Sequence, residues 1–90
     1  MTALITGASA GIGAELAREF AKEKINLILV ARREPSLKTL AAELSAEYNI
    51  NVSVIALDLS LPGSATELYK KVQSLRLKVD YLVNNAGFGD

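Results

Sequence analysis

The residues with the most obvious chemical potential lie in four short clusters. The first is Thr6-Gly7-Ala8-Ser9-Ala10-Gly11-Ile12-Gly13, with glycines spaced G-x-x-x-G-x-G. Gly7 can make a tight turn, Gly11 leaves room for a ligand's phosphates, and Gly13 lets a following helix pack closely on the preceding strand. Backbone N–H groups at such a helix start offer partial positive charge to a pyrophosphate. The spacing is neither the G-x-G-x-x-G fingerprint nor a P-loop, which would continue Gly-Lys-Ser/Thr. The alternative is a glycine-rich turn that binds nothing. The second cluster is Ala31-Arg32-Arg33. A carboxylate at such a strand end accepts hydrogen bonds from the adenosine ribose, whereas an arginine suits a 2′-phosphate. The nearest acid, Glu34, lies three residues past Ala31, so the pattern favours NADP over NAD; ordinary solvated arginines are the alternative. The third cluster, Asp58-Leu59, could receive an adenine amino group at the carboxylate or could be an Asx turn. The fourth, Asn84-Asn85-Ala86-Gly87, has small residues that let backbone approach a ribose and amides able to bridge strand ends. It also reads as a plain loop.

Composition narrows the chemistry further. The 90 residues hold 10 basic and 10 acidic side chains, a net charge of zero, with no Cys, His or Trp. No basic run offers a footprint for nucleic acid or an anionic membrane. Without Cys there is no disulfide framework, thiolate nucleophile or Cys-based metal site. Without His the commonest general base is missing. No apolar run approaches the ~20 residues a membrane helix needs, and Met1-Thr2-Ala3 lacks the charged start of a signal peptide. The expectation is a soluble, cytoplasmic chain with one small core, no metal and no second domain.

The elements that must position these clusters alternate. Ala3–Ile5, Leu27–Ala31, Val52–Leu57 and Tyr81–Val83 are short apolar runs of the kind that form strands buried on both faces. Between them the period changes to that of a helix. Ile12, Leu16 and Phe20 fall four apart in a helix of about three turns. Pro35 suits a first turn, and Leu37, Leu40, Ala41, Leu44 and Tyr48 mark one face of a second helix. Ser64-Ala65-Thr66-Glu67 has the form of a capping box, followed by a stripe of Leu68, Val72 and Leu75. The result is β-α-β-α-β-α-β, which implies parallel strands joined by right-handed crossovers.

Taken together, the residues resemble the short-chain dehydrogenase/reductase family. Thr6–Gly13 matches its T-G-x-x-x-G-x-G, Asp58 stands where its adenine-side Asp stands, and Asn84–Gly87 matches its N-N-A-G. Arg32 and Arg33 resemble the NADP-preferring members. The resemblance implies an α/β, Rossmann-like, partial doubly wound parallel sheet of four strands in order 3-2-1-4 with three helices. It implies that Gly7, Ser9, Gly11, Ile12 and Gly13 line the pyrophosphate and adenosine phosphate. Arg32, helped by Arg33, would hold the 2′-phosphate; Asp58 and Leu59 would flank adenine; and Asn85, Ala86 and Gly87 would line the ribose.

The family's chemistry also requires a Ser and a Tyr-x-x-x-Lys pair, in which the Lys lowers the Tyr pKa so that the phenol passes a proton. Here Tyr48, Tyr69 and Tyr81 are followed four residues later by Val52, Gln73 and Asn85. No catalytic residue is therefore assigned. The expectation is a truncated, N-terminal cofactor-binding half over residues 1–90, inactive alone, of an enzyme acting on a small carbonyl or alcohol substrate. A non-catalytic nucleotide-binding or assembly module is the alternative. In strand order 3-2-1-4 the third helix falls alone on one sheet face, and the fourth strand becomes an edge. Self-association through that uncovered face or edge is expected.

Overall fold

The computed structural model describes residues 1–8, 11–32 and 34–85. Its elements, in chain order, are β1 (Thr2–Thr6), α1 (Gly11–Lys22), β2 (Asn26–Ala31), α2 (Glu34–Tyr48), β3 (Val52–Ala56), α3 (Ser64–Ser74) and β4 (Tyr81–Asn84). The four strands form one sheet in the order β3-β2-β1-β4, and every neighbouring pair is parallel. This is the Rossmann-like arrangement expected from the alternation of apolar runs and helical stripes.

Because strand side chains alternate between faces, the sheet has two cores. Ala3 and Ile5 of β1 and Leu27, Leu29 and Ala31 of β2 join Ala17 and Ala21 of α1 and Leu37, Leu40 and Leu44 of α2. On the other face Leu4, Ile28, Val30 and Ile55 meet Leu68 and Val72 of α3. Two helices therefore cover one face and one covers the other. The small Ala17 and Ala21 bring α1 close to the central strands, while larger side chains fill the space under α2.

The strands are also tied together at the sheet edge where they begin. The N–H of Asn26 donates to the carbonyl of Met1 (2.9 Å), and that of Asp80 donates to Thr2 (2.8 Å). The Asp80 carboxylate accepts the Thr2 N–H in return (2.9 Å).

One local expectation is corrected. Ser64 is not the N-cap of α3. That position belongs to Gly63, in a left-handed conformation (φ 81°) with no side-chain cap hydrogen bond. The Ser64 hydroxyl instead donates backwards to the Leu59 carbonyl (3.0 Å). Glu67 does not reach back to complete a box; it pairs along the helix with Lys71. The part-buried carbonyl of the preceding loop takes the serine in place of the helix terminus.

Candidate functional site

In a parallel sheet all strands end on the same edge, so the loops that follow them gather there. The register sets Thr6 beside Val30 and Asn84, and Ala31 beside Ala56. The glycine loop, Arg32, Asp58 and Asn84–Asn85 therefore share one rim. The strand order reverses between β1 and β4, which makes this the switch point of the sheet.

The glycine loop is built around a close contact. Gly7 turns at φ 64°, a conformation that glycine adopts without strain. A Cβ on Gly13 would lie 2.2 Å from the Gly7 carbonyl oxygen, so only glycine lets α1 begin against the end of β1. Gly13 accordingly faces inward and is buried, and acts as a packing residue. Gly11 is different: its φ is +61°, and a Cβ there would meet nothing within 4 Å. Among the described residues nothing covers that point at the start of α1, and Ile12 beside it is 69% exposed.

Thr6 joins the glycine loop to the end of β4. Its hydroxyl donates to Asn84 Oδ1 (3.1 Å) and accepts the Asn85 N–H (2.9 Å). The Asn85 amide then donates to the Gly7 carbonyl (3.3 Å), which is the oxygen that Gly13 packs against. The asparagines thus do bridge strand ends. Thr6 opens the glycine motif in the sequence, but the motif by itself gives its hydroxyl no role. The signal available for it was a hydroxyl at the inner end of a central strand, where a buried polar group must find a partner.

Arg32 follows β2 and is exposed. Asp58 follows β3 and forms an Asx turn, accepting both the N–H (2.9 Å) and the hydroxyl (2.6 Å) of Ser60 on Oδ1. These bonds hold its carboxyl below the ordinary aspartate range, with a smaller contribution from the nearby positive charge of Arg32. Leu59 is half-buried and packs on the α3-side core. Ser9, Arg33, Ala86 and Gly87 lie outside the described residues.

The three tyrosines lie elsewhere. The Tyr81 hydroxyl is beside Met1 (3.3 Å), at the opposite end of β4 from the rim. Tyr48 ends α2. Tyr69 lies on α3, where its oxygen accepts from the Gln73 amide (2.9 Å). Among the described residues no helix is long and apolar enough to cross a membrane.

Comparison with known proteins places this geometry in a family. The family model described as short chain dehydrogenase matches residues 1–90. Very-long-chain 3-oxoacyl-CoA reductase of Candida glabrata is 40% identical over 87 residues, covering 94% of this chain and 24% of that protein. NADP-dependent 3-hydroxy acid dehydrogenase of Schizosaccharomyces pombe is 43% identical over 91 residues, covering 96% and 34%. Among solved structures, L-sorbose reductase of Gluconobacter frateurii, complexed with NADPH and L-sorbose, superposes with a TM-score of 0.90 at 38% identity, over 99% of this chain and 34% of that one. The chain thus spans between a quarter and about a third of the length of these relatives. With the glycine turn, the arginine after β2, the aspartate after β3 and the asparagines after β4 on one rim of a 3-2-1-4 sheet, the chain belongs to the short-chain dehydrogenase family.

Proposed function

We propose that these residues form the adenosine and pyrophosphate side of the cofactor site of an NADP-dependent oxidoreductase, one that moves hydride between nicotinamide and a small carbonyl or alcohol substrate. The observation that carries the choice of NADP is Arg32, exposed at the end of β2 beside the glycine loop, where a carboxylate would favour the free ribose hydroxyl of NAD. The Schizosaccharomyces pombe relative is named for NADP dependence, and the sorbose reductase was solved with NADPH. Both support the reading.

The residues present fit such a cofactor. Gly11 leaves the start of α1 uncovered, so the helix's first N–H groups can face a pyrophosphate. Arg32 provides a planar fork of donors for a 2′-phosphate. Asp58 accepts from Ser60 on Oδ1, and Oδ2 is the oxygen an adenine amino group would meet. Thr6 and Asn85 fix the height of the rim on which the ribose would rest. When bound, the nicotinamide supplies the hydride chemistry. None of the three tyrosines has a lysine four residues on, so binding rather than turnover is assigned to the 90 residues.

Calorimetric titration with NADPH and NADH tests the reading. NADPH is expected to bind more tightly. Arg32→Ala is expected to weaken NADPH by about 10- to 100-fold, the loss of a charge-assisted contact of ~1.5–3 kcal/mol, while NADH changes little. Equal affinity for the two cofactors in the unaltered chain would overturn the choice of NADP.

A further inference from the structure

We propose that Ser60 is a positioning residue for the cofactor's base: its hydroxyl grips one oxygen of Asp58 and so aims the other at the adenine amino group. The inference rests on the cofactor site proposed above and names what makes that site select adenine.

The geometry is local. Asp58 Oδ1 accepts twice from one residue, from the Ser60 N–H (2.9 Å) and from the Ser60 hydroxyl (2.6 Å). The last torsion of an aspartate side chain is broad and roughly twofold, so a carboxylate held by a single donor exchanges its two oxygens readily. Two donors on Oδ1 oppose that exchange, and hydrogen bonds to an ionised acceptor are among the stronger kinds. Oδ2 is then the oxygen turned to a base. The same bonds are the first cause of the lowered Asp58 pKa, so the carboxylate stays ionised and ready to accept. The grip has a competitor, because the positive charge of Arg32 also acts on Asp58. A carboxylate released by Ser60 would turn toward that guanidinium, away from adenine and onto donors that suit a 2′-phosphate.

The loop itself is held by other residues. Leu59 packs on the α3-side core, and its carbonyl accepts the Ser64 hydroxyl (3.0 Å). The Leu61 N–H donates to the Asp58 carbonyl (3.3 Å), and the Ser64 N–H donates to the Leu61 carbonyl (3.2 Å). Ser64 is buried, whereas Ser60 is exposed. Aiming and folding are therefore separable. Ser60→Ala keeps the path of the loop and the N–H bond to Oδ1, and deletes only the second donor. Ser60→Thr keeps the hydroxyl.

Calorimetry with NADPH and with its analogue carrying hypoxanthine in place of adenine tests the proposal. The analogue sets a carbonyl oxygen where the amino group would stand. NADPH is expected to bind the unaltered chain more tightly. In Ser60→Ala that preference is expected to fall about 3- to 10-fold, the scale of one net hydrogen bond, and in Ser60→Thr to return. The Asp58 carboxyl, followed by NMR in the free chain, should titrate higher in Ser60→Ala and remain low in Ser60→Thr. A preference that survives Ser60→Ala overturns the proposal and leaves the cofactor site standing. So does an equal loss for both cofactors, which would make Ser60 a support of the loop, or an Asp58 titration that Ser60→Ala does not move. Equal binding of NADPH and the analogue by the unaltered chain, or no binding of either, removes the adenine contact of Asp58 and the proposal with it.

Discussion

Gly13 shows how a single missing atom sets the site. Its absent Cβ would stand 2.2 Å from the Gly7 carbonyl oxygen, and both partners are backbone, so neither can swing away. Gly13→Ala is expected to cost about 1–3 kcal/mol, the scale of overpacking a tight contact, read as a lower denaturation midpoint. It should also weaken nucleotide binding, since the displaced Gly7 carbonyl accepts the Asn85 amide. Asp58 carries the second expectation at this scale. Its folded pKa is lowered, first by the bonds from Ser60. Its contribution to stability is therefore present above the unfolded value of about 4 and is lost as pH falls through the folded one. The acid limb of a stability–pH profile should be less steep in Asp58→Asn than in the unaltered chain over that window. The glycine spacing, Arg32, Asp58 and the asparagines were legible in the sequence because each is a residue type with a narrow set of uses. Thr6 was not, because threonine is common in strands. Only the neighbour across the sheet, distant in sequence, shows that its hydroxyl is the junction.

The elements were legible because their periods differ. Four apolar runs became four strands, and three stripes became three helices, with α1 spanning the 12 residues of about three turns. The ends were harder to read. Lys24, Asn49 and Arg76, which follow α1, α2 and α3, take left-handed conformations with φ of 61°, 55° and 56°. Glycine is the usual marker of that position, and the sequence has none at the three sites. Lys24 earns its place by donating to the Tyr48 carbonyl at the end of α2 (2.6 Å), where a cation also meets the negative end of the helix. Arg76 is exposed, and its N–H donates to the Gln73 carbonyl (3.0 Å) through backbone alone. Arg76→Gly should keep that bond, relieve the strain and raise stability by about 0.5–1 kcal/mol, measurable as a shifted urea midpoint with an unchanged slope. At the start of α3 the serine–glutamate spacing pointed to a cap that did not form. The spacing specifies only which residues come close, and the Ser64 hydroxyl is taken by the part-buried Leu59 carbonyl.

At the scale of the whole molecule the unequal covering of the sheet follows from strand order alone. Two crossovers turn one way from β1 and the third turns the other, so among the described residues α3 alone covers its face, and Leu82 is exposed there. The clasp between Thr2 and Asp80 has a further consequence, for the order of events in folding. Of the two inner strands β1 comes before β2 in the chain, yet its second neighbour arrives 78 residues later. Loop closure over that span costs only a little more than over a short one, but it delays the contact. Until Asp80 leaves the ribosome, β1 must wait as an open edge, with its apolar residues paired on one side only. A nascent chain paused or cleaved before that point would expose its most buried strand, so the last quarter of this short sequence acts as the latch for the first.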